Sequence, residues 1–185
     1  MSDKVYISAN SYLSDTWRLA AAIRKSGWRP DVLIALWRGG TPVGVAVHEF
    51  FKTTGWDMEH FPLKCGSYTA IGKNDGEVKF SFADDAFGSL KAGSRVLVVD
   101  DVFDSGKTAV AIREKLRNLP CGEVEMRFAA VYWKPEKNKT DMTPDYCVNK
   151  VGNDWLVFPH EIEGLTAAEV AEKDPELAKI LEGIG

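Results

Sequence analysis

Two carboxylates stand side by side at Asp100 and Asp101, and a short polar turn follows them, Asp104-Ser105-Gly106-Lys107-Thr108. Adjacent acids suit a vicinal diol or a hard cation, because their oxygens accept from hydroxyls and bind Mg²⁺ directly. The turn suits an anion instead. Ser105 and Thr108 offer hydroxyls, Gly106 permits close approach of the backbone, and a turn that opens a helix presents unpaired N–H groups at the positive end of the dipole. Phosphate, diol and Mg²⁺ side by side describe a phosphorylated ribose. A second candidate loop is Trp37-Arg38-Gly39-Gly40-Thr41-Pro42. Its paired glycines let backbone N–H groups reach an anion, and Arg38 supplies a planar, fixed positive fork.

These residues need elements to hold them. Val96 to Val99 is an apolar, β-branched run too short for a helix, so it reads as a buried strand of a parallel sheet. The two acids then fall at its C-terminal end, where open α/β sheets gather their ligands. After the turn, Ala109, Ile112, Leu116 and Leu119 repeat at helical spacing. Val32 to Leu36, the glycine loop and Val43 to Phe51 repeat the same strand, loop and helix order. Near the N-terminus, Val5 to Ile7 reads as a strand. Leu13, Trp17, Ala20 and Ile23 then form an apolar helical face, with Trp17 in the core, Asn10 or Ser11 as cap and Gly27 at the end. His48 lies in the second helix and reads as structural.

Further strands are expected over Met58 to Lys64, Glu77 to Phe82, Glu123 to Trp133, Pro144 to Val148 and Asp154 to Phe158. Cys65 to Phe82 is long, polar and glycine-rich, the mark of a functional loop or a solvated hairpin. Thr166 to Glu169 forms a capping box, and Asp174-Pro175 starts a last helix with Leu177, Ile180, Leu181 and Ile184 as its apolar stripe. Alternating strands and helices give an α/β fold: an open parallel sheet flanked by helices, in a single domain spanning residues 1–185.

The 185 residues suffice for one sizeable core, and 45% hydrophobic content excludes a disordered chain. A net charge of -4 argues against a protein that coats nucleic acid, so any bound phosphate is held by local geometry. Cys65, Cys121 and Cys147 are odd in number and form no Cys-x-x-Cys pair, which suggests free thiols in a reducing compartment. No apolar run reaches membrane-spanning length and no signal peptide is evident, so a cytoplasmic protein is expected and the Asn138-Lys139-Thr140 sequon reads as chance.

The stretch Val96 to Thr108 resembles the phosphoribosyl pyrophosphate (PRPP) motif of type I phosphoribosyltransferases at every position. The resemblance covers about Val5 to Glu161. It implies that Asp100 and Asp101 hold the ribose hydroxyls and help place Mg²⁺, while Asp104, Ser105, Gly106, Lys107 and Thr108 wrap the 5′-phosphate. It makes Arg38, Gly39 and Gly40 the pyrophosphate loop, with a cis peptide at Trp37-Arg38. Ser67-Tyr68 matches the pair carried by a mobile flap. A small hood follows from about residues 1–10 and 138–165, beside a C-terminal helix at about 175–183. Among family members the chain is most similar to xanthine-guanine and hypoxanthine enzymes, which act on 6-oxopurines. In that comparison Lys134 reads the 6-oxo group, Trp155 stacks on the base and Leu156 lines its site. His160-Glu161 stands where those enzymes often have Trp-Asp. Asp104 then serves as proton acceptor for the base, since a phosphate cradle has no use for a carboxylate. The implied partners are PRPP and a purine base, with a homodimer or homotetramer as the assembly, and no nucleic acid or membrane.

Two other readings stay open on sequence alone. A PRPP-binding regulator of the same fold, without catalysis, would use the same residues. A P-loop kinase is suggested by Gly106-Lys107-Thr108, but that motif requires glycine where this chain has Asp101.

Overall fold

The computed structural model describes residues 4–67, 78–81 and 87–184. The chain forms two compact units. The larger spans Leu13–Asn153, and the smaller joins Met1–Tyr12 to Asp154–Gly185.

The larger unit is built on a six-stranded sheet. Its strands are β2 (Val32–Trp37), β3 (Glu59–Ser67), β4 (Val78–Ser81), β5 (Arg95–Phe103), β6 (Glu125–Trp133) and β7 (Tyr146–Lys150), in the order β4-β3-β2-β5-β6-β7. All neighbours are parallel except the β3–β4 hairpin. Helix α1 (Ala9–Lys25) precedes β2, α2 (Gly40–Thr53) follows β2, and α3 (Lys107–Arg117) follows β5. The alternation of strands and helices is the α/β fold that the hydrophobic pattern calls for.

Parallel strands covered on both faces read as unbroken apolar runs, and β2 and β5 do so. Val96 to Val99 are all fully buried. Alternate positions Val32, Ile34, Leu36, Val96, Val98, Phe128 and Ala130 join Ala109, Ile112 and Leu116 of α3 in one cluster. The intervening positions meet α2. A Cβ on Gly44 would stand 2.5 Å from that of Ala35 and within ordinary contact of Leu33 and Val99, so glycine lets this helix lie close on the sheet.

Helix α1 departs from its expected face. Trp17 is 46% exposed and Leu13 is 40% exposed, so Trp17 is not core. The buried face runs instead through Tyr12, Asp15, Thr16, Leu19, Ala20 and Ile23. Polar residues turn inward here because Asp15 is fully engaged: it accepts from Tyr132 Oη at 3.0 Å, Asn149 Nδ2 at 2.9 Å and Arg18 Nη1 at 2.6 Å. Those bonds fix the helix on β6 and β7 and set its rotation, which apolar spacing alone misreads. The cap also shifts, from Asn10 or Ser11 to Ser8, whose Oγ accepts from Ser11 N at 3.2 Å.

In the smaller unit, β1 (Lys4–Tyr6) pairs in parallel with β8 (Trp155–Val157). Helices α4 (Ala167–Lys173) and α5 (Pro175–Glu182) follow. The capping box is present, with Thr166 accepting from Glu169 N and the Glu169 carboxylate accepting from Thr166 N at 2.8 Å. That carboxylate also receives Lys4 Nζ at 2.6 Å, tying β1 to α4. Of the range 138–165 read as hood, β7 lies at the edge of the main sheet, where Ala129 to Trp133 provide its parallel partner. Among the described residues, no helix is long and apolar enough to cross a membrane.

Candidate functional site: two helix N-termini flanking an acid pair

Strand β2 connects through α2 to β3 on one side, whereas β5, β6 and β7 lie on its other side. The winding direction therefore reverses between β2 and β5. A crevice opens beyond the strand ends at such a reversal. The two candidate loops are the segments that leave β2 and β5 there.

Strand β5 is longer than the apolar run suggests. It pairs with β2 only as far as Ala35↔Val99, but with β6 as far as Phe103↔Trp133. Asp100 and Asp101 sit on the extension, past the last β2 partner and still held by β6. Asp101 is buried, and its Oδ1 accepts from Val102 N at 2.7 Å, while Asp100 Oδ1 accepts from Asp101 N at 3.0 Å. Removal from water, and then the neighbouring Asp101 charge, push the Asp100 carboxyl well above the usual carboxylate range. Cys65, at the end of β3, feels the same environment: burial, then the Asp100 charge, push its thiol up to about 12.

The glycine loop presses directly on this pair. A Cβ on Gly39 would stand 1.8 Å from Asp101 Oδ2, and one on Gly40 would stand 2.5 Å from the Val99 carbonyl oxygen and 3.0 Å from Asp100 Oδ1. Both glycines are therefore required by space, at backbone angles that Gly39 (φ -65°) would share with any residue. The Trp37-Arg38 peptide before them is cis, as the resemblance implies, and the Arg38 side chain is exposed. Gly39 is the N-cap of α2 and, as glycine, offers no side chain to cap it; no acid stands in the first turn of the helix.

The second loop has the same character. Gly106 is the N-cap of α3 in the left-handed region (φ +77°), again with no side-chain cap and no acid in the first turn. Left-handed backbone is nearly free of strain only for glycine. Ser105, Gly106, Lys107 and Thr108 thus surround a helix start that begins on glycine, with a long bond from Lys107 N to Ser105 Oγ at 3.5 Å. Asp104, just before them, is half-exposed, with Lys137 Nζ 4.0 Å from its carboxylate.

Lys134 follows β6 directly and is 5% exposed, rare for lysine. Its backbone N donates to Phe103 O at 3.0 Å, which places it beside the residue that precedes Asp104. Trp155 and Leu156 belong to β8 of the smaller unit. Leu156 is buried, and Trp155 is 36% exposed, with Lys4 Nζ 4.7 Å from its ring centre and Gly164 against its outer edge. Ser67 ends β3, opposite Val78, and Tyr68 lies outside the described residues. His48 packs against His60 with ring centres 4.3 Å apart, on α2 and β3.

The larger unit therefore sets Gly39 and Gly40 against Asp100 and Asp101, with the loop from Asp104 to Thr108 following β5 directly. Sequence reasoning passed over the segment behind that loop. A Cβ on Gly106 would stand 2.3 Å from Thr140 Oγ1 and 2.6 Å from Asn138 Oδ1. The only signal for these residues was an Asn-x-Thr triplet, read as a chance sequon. Asn138 Nδ2 is in fact committed to Met142 O at 2.7 Å.

A sequence model of the phosphoribosyl transferase domain matches residues 8–163. The chain belongs to this family. Like other phosphoribosyltransferases it is a glycosyltransferase, and its fold is the family's. It is 26% identical to a hypoxanthine-guanine phosphoribosyltransferase of Lactococcus lactis, over 84% of this chain and 80% of that protein. Among solved structures it resembles a purine phosphoribosyltransferase from Pyrococcus horikoshii (TM-score 0.68, 25% identity, 89% of this chain and 98% of that one). It also shares the fold of a Neisseria gonorrhoeae hypothetical protein solved with ppGpp (TM-score 0.72, 21% identity), over 97% of this chain and 98% of that one. The last match extends the common fold beyond Glu161.

Proposed function

We propose that this phosphoribosyltransferase moves the 5-phosphoribosyl group of PRPP onto a 6-oxopurine (guanine, xanthine or hypoxanthine), releasing pyrophosphate, as a purine-salvage enzyme. One observation carries the reading: two helix N-termini that begin on glycine, with no acid in their first turns, stand beside a close acid pair where the sheet reverses its winding. Two anion sites on either side of a diol site match the two ends of PRPP. The names of the Lactococcus and Pyrococcus relatives point to purines as acceptors.

In this reading the amides from Ser105 to Thr108 hold the 5′-phosphate, with the Ser105 and Thr108 hydroxyls in support and Lys107 as a nearby charge. Gly39, Gly40 and Arg38 receive the pyrophosphate, and Asp100 and Asp101 accept from the ribose hydroxyls. The donor set also fits Mg²⁺, because two crowded carboxylates, one pushed towards its neutral form, gain most from a divalent cation. When bound, Mg²⁺ supplies positive charge against the pyrophosphate.

The bond from ribose C1 to pyrophosphate breaks, and its electron pair leaves on the pyrophosphate oxygen. A purine nitrogen forms the new bond to C1. The proton shed by the base passes to Asp104, whose half-exposed carboxylate stands at the mouth of the phosphate loop. Asp100 and Asp101 offset the positive charge that grows on the sugar, and Arg38 meets the negative charge that grows on the leaving group. Lys134, beside the strand that carries the acids, reads the 6-oxo group of the base.

Pyrophosphate release measured with PRPP, Mg²⁺ and a panel of nucleobases tests this. Release should require Mg²⁺ together with hypoxanthine, guanine or xanthine. Release that responds only to adenine, orotate or uracil, or to no base at all, would refute it.

A further inference from the structure

The turn that opens α3 is held only loosely by its own side chains. Gly106 has none, and Ser105 Oγ accepts from Lys107 N at 3.5 Å, a long bond. Support comes from residues 138–142, which follow the short helical turn Pro135–Lys137. Asn138 Oδ1 accepts from both Thr140 N and Thr140 Oγ1 at 3.0 Å, and Thr140 Oγ1 in turn accepts from Met142 N at 3.3 Å. With the bond from Asn138 Nδ2 to Met142 O, these close a compact loop in which each side chain both gives and receives. The compact loop is then fastened to the helix turn at three points. Lys139 N donates to Ser105 O at 3.0 Å. Thr140 Oγ1 and Asn138 Oδ1 fill the space where a side chain at Gly106 would lie. Arg113 Nη2, from α3 itself, donates to Asp141 Oδ1 at 3.4 Å.

We infer that Asn138 and Thr140 are positioning residues for the phosphate site: they fix the left-handed Gly106 and so aim the first amides of α3. The inference rests on the reading of this turn as the 5′-phosphate loop. Neither residue touches the reacting atoms. Their effect is on how well the amides are arranged before the ligand arrives, and so on PRPP affinity more than on the chemical step.

The test uses the full chain with Asn138→Ala, Thr140→Val and Thr140→Ser. Valine keeps the shape of threonine and removes the hydroxyl, whereas serine keeps the hydroxyl. Loss of a partly buried hydrogen-bonded group predicts a rise of about tenfold in KM for PRPP in N138A and T140V. The KM for the base should stay near wild type, the melting temperature should fall by only a few degrees, and T140S should restore the PRPP value. Amide hydrogen exchange of Ser105 to Ala109, measured without ligand, should speed up in T140V and return in T140S. An unchanged KM for PRPP in both deleterious variants overturns the inference. So does a parallel shift of both KM values and the melting temperature, the mark of general destabilisation. If exchange responds as expected but wild-type protein binds no Mg²⁺–PRPP, the bracing stands and the assignment of the loop to phosphate fails.

Discussion

Replacing Gly39 by Ala isolates the contact between the two loops. The residue has φ -65° and ψ -31°, so alanine brings no backbone strain, although it is a poorer N-cap than glycine. The larger effect must come from space. The new Cβ would stand 1.8 Å from Asp101 Oδ2, 2.4 Å from Cγ and 2.8 Å from Oδ1, where ordinary contact begins at 3.4 Å. The nearest separation is about half of what contact requires, so the carboxylate or the loop must move by more than an ångström's worth of overlap. Asp101 cannot swing away freely, because it is 7% exposed and its Oδ1 is bonded to Val102 N. Overpacking of this kind costs about 1–3 kcal/mol. In a chain of this size that lowers the melting temperature by about 2–12 °C. The functional loss should be larger, at least ~100-fold in kcat/KM for PRPP, because a misplacement of about 1 Å in a positioning group has that effect. Thermal melts, calorimetric titration with Mg²⁺–PRPP and pyrophosphate release together read both quantities. A Gly39→Ala protein that melts a few degrees lower yet keeps kcat/KM within twofold would show that this contact does not set the acid pair for catalysis.

Asp104→Asn should lower turnover by about 10²–10⁴ while PRPP binding persists, as measured by single-turnover kinetics beside calorimetry; an unchanged rate removes Asp104 from proton transfer. Asp15→Ala leaves the Tyr132 hydroxyl and the Asn149 amide without their shared acceptor in a buried position, so a loss of about 3 kcal/mol is expected from urea denaturation. A loss below ~0.5 kcal/mol, the range of ordinary surface changes, would mean that this network does not anchor α1. Glu169 is held down to about 2, first by the bond from Lys4 and then by those from Thr166, against an ordinary 4.5. A lowered folded value means that its contribution is present above about pH 4.5 and is lost as pH falls towards 2. Glu169→Gln should therefore flatten stability against pH in that window, and parallel curves for the two proteins would contradict the assignment.

The strands, the helices that follow them and both candidate loops were legible in the chain itself. Val96 to Val99 announced a doubly covered strand because burial on both faces leaves no place for alternation. Gly39-Gly40 and Gly106 announced close backbone approaches because no other residue permits them. Short-range rules such as these act between residues that are neighbours in sequence, so sequence carries them. The capping box at Thr166 was read for the same reason.

The rotation of α1, the reach of β5 and the support behind Gly106 belong to tertiary structure. Trp17 looked like core because apolar spacing counts hydrophobic residues and cannot count the partners that draw Asp15 inward. The acids proved to lie within β5, because β6 continues to pair with it after β2 has turned away. Asn138 and Thr140 gave only a common triplet, and their role depends on meeting a turn more than thirty residues earlier in the chain. The sequence alone therefore determined which groups are available and which local shapes they favour. Which groups meet, and at what distance, was decided by packing between distant segments, since those contacts exist only once the sheet has formed.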